Sequence, residues 1–317
     1  MESAFEIGPN VNSVIAELEI QRKKIASNQI KGWGFVALGI VVFAVGSILS
    51  SVIAAVIGFA IVVPGAIILF RLKDEIKIYK SRFKQEVVAA ALSQVDQSLT
   101  IQHLKGISSA EFNHSQLFTQ EPDRYFTEDL ITGKVDQTAF YFAEVHAEYK
   151  TETQTKSGRQ VQWHDIFKGI IFVADFNKHF TGVTVIRPKD IGSSIGAWFS
   201  KNIYAFGDKN VVELENPHFI KNFVTYSNDQ VEARYILTPS MMEKISDLNE
   251  RSAYCISLSF IASTMYIAFP LDENYFEPPV FKTLLKPDLL ENDLSILRFM
   301  HHIVQEMDLN TRIWTKQ

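Results

Sequence analysis

Cysteine is nearly absent from this sequence, since Cys255 is the only one in 317 residues. A single thiol excludes an intramolecular disulfide framework and a zinc site made of several thiolates. The surrounding residues, Tyr254 to Leu258, favour a strand, in which we expect Cys255 to pack as a small hydrophobic side chain. Cysteine chemistry is therefore not expected to carry the function.

An excess of positive charge is also missing, because 31 Lys and Arg residues stand against 36 Asp and Glu residues, a net charge of −5. This balance gives no reason to expect nucleic acid as a partner. Glycine-rich phosphate-binding loops, the serine-hydrolase elbow and the paired-histidine zinc motif are absent from the sequence as well. The sequence thus predicts no catalytic residue, no bound metal and no cofactor.

Charge of either sign is missing from residues 32–70, a run of 39 residues. One helix of that length would measure about 58 Å, against about 30 Å for the hydrocarbon core of a bilayer. The only cluster of hydroxyl residues in the run is Ser47, Ser50 and Ser51, so we expect a turn there. The run therefore predicts a transmembrane helical hairpin with spans near 32–49 and 52–70, and the lipid bilayer as a partner.

The flanks of the run predict its orientation. Basic residues precede and follow it, and the turn carries none, so the positive-inside rule places both termini in the cytoplasm and the protein in the cell (inner) membrane. The lack of ionisable groups favours an anchor over a transport path, and the absence of a G-x-x-x-G motif gives no specific dimerisation face. The basic residues are Arg22, Lys23, Lys24, Lys31, Arg71, Lys73, Lys77, Lys80, Arg82 and Lys84.

Apolar residues at helical spacing continue on both sides of the run. We predict a cytoplasmic amphipathic helix within 1–31 and a helical stalk over 71–105, packed together as a short coiled coil. Such a stalk is a spacer, a lever that transmits motion, or a seam for a protein partner or homo-oligomer, and the sequence leaves these open. The apolar positions are Val11, Val14, Ile15, Leu18, Ile25, Leu72, Ile76, Tyr79, Phe83 and Val87.

Residues 106–317 change to short runs of strand-forming residues, which predict a cytoplasmic α+β domain with a mostly antiparallel sheet and with inserted and C-terminal helices. We expect helices over 239–248, capped by Thr238, and over 293–307. Residues 150–162 and 192–207 are expected to be loops or irregular. The expected strands lie within 125–126, 130–149, 166–176, 180–186, 223–226, 231–237, 254–260 and 264–269.

Four charged residues of this domain are candidates for binding a ligand or forming an ion pair. Asp175 interrupts the apolar run 170–176, where a buried charge would need a partner, and Asp165 lies just before the same run. Glu232 and Arg234 share one face of the strand predicted over 231–237. His302 and Glu306 are one helical turn apart, which is typical of a surface contact more than of a metal site.

Several stretches of the chain resemble the bacterial proteins that share the "domain of unknown function 3137". These are Glu128 to Lys134, Ile166 to Gly169, Ala174 to Lys178 and Asp229 to Ser240. The resemblance implies a bacterial membrane protein with a two-pass hairpin near its N-terminus. It implies no established activity, cofactor or catalytic residue.

These observations favour a membrane-anchored cytoplasmic module that binds or scaffolds an unidentified partner. One alternative is a membrane-bound, hydrolase-like enzyme, which requires Asp165, Asp175, Glu232 and Arg234 to converge in one pocket. Another is an oligomeric membrane-stress sensor or pore, which requires several hairpins to assemble.

Overall fold

A computed structural model describes residues 9–155, 158–176, 179–189, 211–252, 255–271, 274–286 and 291–307. The described residues form an α+β protein, as predicted, with two long apolar N-terminal helices followed by an antiparallel sheet. The chain divides into two compact units: residues 1–91 with 276–293 form a helical unit, and residues 92–275 with 294–317 form a sheet unit. The segment expected to be irregular, 192–207, lies outside the described residues.

The helical unit is built on a hairpin of α1 (Pro9–Ile48) and α2 (Val52–Arg82). Residues 49–51 make the turn, where Ser51 caps α2 by accepting a hydrogen bond from the backbone N–H of Ala54. Both helices are long and apolar enough to cross a membrane. The turn lies where the hydroxyl cluster predicted it, and the helix expected within 1–31 is continuous with the first apolar span.

The stalk predicted over 71–105 is shorter in the structure. α2 passes into a π-helical turn at Phe83–Val88 and then into α3 (Ala89–Val95). Strand β1 (Thr100–Gln102) follows and pairs with the sheet, so helix ends about ten residues before the predicted boundary. The helix does not continue through Ser98, because the backbone N–H of Ser98 bonds to the side chain of Asp96 and not to a helical carbonyl.

Glycines bring α1 and α2 unusually close. A Cβ atom added to Gly39 would lie 2.7 Å from the carbonyl oxygen of Gly58, and one added to Gly65 would lie 2.8 Å from that of Gly32. These distances leave no room for any side chain between the two backbones. Gly34 faces away from this seam and has nothing within 4 Å of its Cβ position.

The segment 276–286 is tied to both helices outside the apolar run. Arg22 donates two hydrogen bonds of 2.8 Å to the Glu19 carboxylate and a third to the carbonyl of Val280. Glu19 also accepts a hydrogen bond from the backbone N–H of Leu284, and Tyr79 of α2 donates one to the carbonyl of Pro279. Glu19 and Arg22 are both buried. Arg22 lowers the pKa of Glu19 to about 2, and the Leu284 N–H acts in the same direction against the effect of burial.

The sheet unit contains eight described strands. After β1 they are β2 (Arg124–Val135), β3 (Thr138–Thr155), β4 (Gly158–Asp175), β5 (Val183–Pro188), β6 (Phe223–Ser227), β7 (Ser257–Ile261) and β8 (Thr264–Pro270). Their order in the sheet is β1-β2-β3-β4-β8-β7-β5-β6, and every neighbouring pair is antiparallel. The residues expected to form a loop at 150–162 are mostly paired strand, because β3 and β4 form a long hairpin that extends past its neighbours.

Each face of the sheet buries aromatic residues under a helix. One face packs Phe167 against Phe118, which stacks on Phe112 of α4 (Ser109–His114). On the opposite face, Phe269 packs against Phe299 of α8 (Glu291–Glu306). This second face is covered by α8 over only part of its length, and the uncovered part contains the candidate site.

The prediction of a strand over 231–237 is wrong. These residues form helix α6 (Gln230–Ile236), because Asp229 accepts hydrogen bonds from the backbone N–H groups of Val231 and Glu232 and caps the helix. The helix predicted over 239–248 is confirmed as α7 (Pro239–Arg251), capped by Thr238. Between β5 and β6, α5 (Pro217–Asn222) is capped by Asn216.

We expect Gly39→Leu to disrupt the hairpin, because its side chain would meet the backbone of Gly58 and Val62. The full chain in mild detergent should lose its monodisperse gel-filtration peak at a temperature several degrees below wild type. Gly34→Leu is the matched control, since it adds the same side chain to the same helix on an open face. Equal melting of the two variants would contradict the seam.

We expect Glu19→Gln to destabilise the chain by about 3–5 kcal/mol at pH 7, because it leaves Arg22 buried without a charged partner. The folded-state pKa of Glu19 lies below its ordinary value of 4.5. The pair therefore stabilises the fold fully above about pH 5, and this contribution is lost as the pH falls towards 2. Thermal melts at pH 7 and pH 3 should show a gap between wild type and Glu19→Gln that narrows at pH 3.

Glu17→Gln is the control for that measurement, because Glu17 makes an exposed contact with Arg82. A loss as large as that of Glu19→Gln would show that the burial of Glu19 does not matter.

Candidate functional site

Polar side chains occupy the part of the sheet that α8 leaves uncovered. Two cross-strand rows run from β2 through β3 to β4: Arg124, Glu148 and Asp165, and then the aromatic Phe126 with His146 and Lys168. A third row contains Glu128 on β2 and Glu144 on β3. Because alternate residues of a strand share a face, the members of these rows point to the same side. We call these eight residues the polar patch.

Two β-bulges bracket the polar patch. One lies on β2 between Glu128 and Ile131, and the other lies on β4 opposite Ala147 and Glu148. At the second bulge, β4 has one extra residue, so Asp165 and not Ile166 is the partner of Glu148. Ile166 and Phe167 are both fully buried as a result, and Asp165 turns to the face of His146 and Glu148.

The bulge brings an imidazole and two carboxylates together. Nε2 of His146 lies 2.6 Å from Oδ1 of Asp165, and ligand atoms of His146, Glu148 and Asp165 all lie within 4.8 Å of one another. Glu148 accepts a hydrogen bond of 3.1 Å from Arg124, whose guanidinium lies 3.7 Å from the ring centroid of Trp163. The carboxylate of Glu148 is therefore held in a fixed orientation, whereas that of Asp165 is about half exposed (53%).

A cleft of about 560 Å³ opens over five members of the polar patch, which are Phe126, Glu128, Glu144, His146 and Lys168. Its walls combine aromatic, acidic and basic groups, and Glu144 in one wall accepts a hydrogen bond of 2.6 Å from the backbone N–H of Tyr275. This volume falls in the range of small-molecule sites. The lining residues are Tyr125, Phe126, Thr127, Glu128, Glu144, Val145, His146, Lys168, Gly169, Leu271 and Asn274.

Gly169 fixes the floor of the cleft. Its φ of +151° belongs to glycine, and a Cβ atom there would lie 2.1 Å from the carbonyl oxygen of Phe269 on β8. Beside it, the carbonyl of Lys168 accepts a hydrogen bond from the backbone N–H of Leu271. The chain that leaves β8 therefore stays close to β4, which positions Leu271 in the cleft wall.

The four charged residues singled out in the sequence do not form one site. Asp165 joins the polar patch, whereas Asp175 lies ten residues further along β4, a distance of about 33 Å in a strand. Glu232 accepts hydrogen bonds from the backbone N–H groups of Thr181 and Gly182 and so secures the entry to β5. Arg234 donates to the backbone carbonyls of Glu213 and Gln230. An enzyme site made of these four residues has no geometric basis.

Other chemical groups noted in the sequence have structural contacts. Glu306 pairs with Arg251, and Nδ1 of His302 bonds to the carbonyl of Arg298, so each of these two residues has a contact of its own within the fold. Cys255 lies just before β7 and not within it, and burial raises the pKa of its thiol, which makes the thiol less reactive.

Sequence reasoning missed His146, Glu148 and Lys168. His146 and Glu148 alternate with Val145 and Ala147, a pattern that marks one polar face of a half-buried strand. That pattern predicts their shared face, but their closeness to Asp165 depends on the bulge. A bulge has no clear signal in a single sequence.

Residues 165–309 match the family described as "Protein of unknown function (DUF3137)", and this match supports the resemblance that the sequence motifs between Ile166 and Ser240 indicated. The match begins at Asp165 and includes Lys168, whereas His146 and Glu148 precede it. No curated protein sequence matches the chain.

Among solved structures, the chain matches the crystal structure of the mycobacterial trehalose monomycolate transport factor A, TtfA. The identity is 9% and the TM-score 0.38, over 75% of this chain and 97% of that one. A TM-score below 0.5 does not establish a common fold.

Proposed function

We propose that this protein is a membrane-anchored binding module: the helical hairpin holds it in a bilayer, and the sheet unit binds a small polar ligand in the cleft over the polar patch. The observation that carries the proposal is the cleft, which joins charged and aromatic side chains in a volume suited to a small molecule. The hairpin adds the membrane location.

The exposure of the hairpin supports the anchor. In a soluble protein, apolar helices of this length would be buried, but large side chains of the charge-free run face outwards on both helices. The run gives about 26 Å of helix in α1 and about 28 Å in α2, close to the thickness of a hydrocarbon core. The exposed side chains include Trp33, Leu38, Ile40, Val41, Phe43, Ile53, Val56, Ile57, Phe59, Val63, Ile67 and Phe70.

The charges beside the hairpin support a cytoplasmic location for both termini. Lys23, Lys24 and Lys31 precede the apolar run, Arg71 and Lys73 follow it, and residues 49–51 of the turn carry no charge. The orientation proposed is therefore a hairpin in the inner membrane with its turn at the outer surface.

The stalk is less suited than the cleft to binding a partner. Of its apolar positions, Ile15, Leu18, Leu72, Tyr79 and Phe83 are buried within a single chain. A seam for a homo-oligomer would need these side chains exposed. The proposed ligand site is therefore in the sheet unit.

Cysteine labelling tests the anchor and its orientation. In a Cys255→Ser background, we expect Leu49→Cys in the turn to react with a membrane-impermeant maleimide on intact bacterial host cells with a permeabilised outer membrane. Thr153→Cys, which is exposed on β3, should react only after the inner membrane is lysed. Labelling of Thr153→Cys before lysis would reverse the orientation, and release of the protein from membranes by alkaline carbonate would refute the anchor.

Fragment binding tests the cleft. We expect ligand-observed NMR of the full chain in nanodiscs to detect small carboxylates, amines or aromatic heterocycles that do not bind empty nanodiscs. Asn274→Trp should abolish this binding, because Asn274 is an exposed residue of the cleft wall and the indole would fill the cleft. Gln162→Trp adds the same side chain to an exposed position of β4 outside the cleft. Fragments that bind both variants equally would place the site elsewhere.

A further inference from the structure

We propose that His146, Glu148 and Asp165 bind a first-row transition-metal dication at the end of the cleft. The sequence alone predicted no metal, and the proposal comes from the structure because two of the three residues are distant in sequence from Asp165. The metal proposal depends only on His146, Glu148 and Asp165, and it does not require that the cleft bind a ligand.

The positions of the ligand atoms favour a cation between them. One imidazole nitrogen and the carboxylates of Glu148 and Asp165 lie within 4.8 Å of one another. Ligand atoms bound at about 2.1 Å to a tetrahedral ion lie about 3.4 Å apart. The side chains of His146 and Asp165 are partly exposed (36% and 53%), so they have room to rotate towards that separation.

The types of ligand select the class of ion. Imidazole is a preferred ligand of Zn²⁺ and its first-row neighbours, whereas Mg²⁺ and Ca²⁺ take oxygen ligands almost exclusively. Three protein ligands from one face of a sheet leave further coordination positions open to solvent, as in zinc sites with three protein ligands and a bound water. The Asp165 carboxylate supplies negative charge for a dication, whereas the charge of the Glu148 carboxylate is shared with Arg124.

Neighbouring residues hold the proposed ligand side chains in place, as hydrogen-bonded neighbours usually do at metal sites. Glu148 is held by Arg124, and Arg124 is in turn held over Trp163, so the least exposed ligand is also the most firmly oriented. The bulge on β4 turns Asp165 away from the core side and towards His146. Bulges are common beside functional sites because they redirect a side chain in this way.

A simple ion-pair cluster is the competing explanation, since His146 contacts Asp165 and Arg124 contacts Glu148. Such a cluster would have no preference for a transition metal over Mg²⁺ or Ca²⁺. It would also gain no stability when a metal is added.

Isothermal titration of the untagged full chain in mild detergent with Zn²⁺ tests the proposal. We expect one equivalent of Zn²⁺ to bind, and millimolar Mg²⁺ or Ca²⁺ not to displace it. His146→Gln and Asp165→Asn should each weaken binding at least about tenfold. Zn²⁺ should raise the melting temperature of wild type but not of Asp165→Asn, whose zinc-free melting should match wild type because Asp165 is half exposed.

His164→Gln is the matched control, because His164 is also an imidazole on β4 but bonds to Thr151 and stacks on Tyr149. Zinc affinity that falls equally in His164→Gln would overturn the site, as would the absence of saturable Zn²⁺ binding in wild type. Asn274→Trp should keep its zinc affinity, which separates a failure of the cleft proposal from a failure of the metal proposal.

Discussion

The close approach of α1 and α2 is the constraint on which the helical unit depends. Buried residues recur every seven positions on both helices, as Leu18, Ile25, Gly32, Gly39 and Gly46 on α1 and as Gly58, Gly65, Leu72 and Tyr79 on α2. The register that pairs Gly39 with Gly58 also places Ile25 opposite Leu72 and Leu18 opposite Tyr79. Within the charge-free run the buried seam positions are glycines, and outside it they are large apolar side chains. This division fits the proposed anchor, because helices in a bilayer associate through close packing, whereas helices in water associate through burial of apolar surface.

The buried Glu19–Arg22 pair lies on α1, whose alignment with α2 is set by the close packing of the two helices. A buried ion pair adds little stability by itself, because two charges must leave water. Its effect here is specificity: Arg22 and Glu19 offer one donor and one acceptor to the backbone of Val280 and Leu284, and no apolar residue could replace both. The segment 276–286 therefore has one favourable position along the helices, although it is more than 250 residues away in sequence.

The sequence predicted the features that depend on composition and period. The charge-free run, the hydroxyl cluster at 47–51 and the alternation in β3 depend on local physics, and the structure has a hairpin, a turn and a strand at these places. The prediction was wrong at 231–237, where alternation indicated a strand although Asp229 and Glu232 are spaced as a helix cap. The polar patch could not be predicted from the sequence, because Glu148 and Asp165 lie side by side only through the register of two paired strands.

The polar patch is a consequence of how the core of the sheet is filled. A regular β4 would place Ile166 on the exposed face and Asp165 in the core, which would leave a carboxylate buried without a partner. The extra residue at the bulge lets both Ile166 and Phe167 enter the core and moves Asp165 out beside His146. Burial of two hydrophobic side chains thus compensates the broken pairing at the bulge. The extra residue that lets both side chains enter the core therefore also assembles the one cluster of imidazole and carboxylates on the described part of this sheet face.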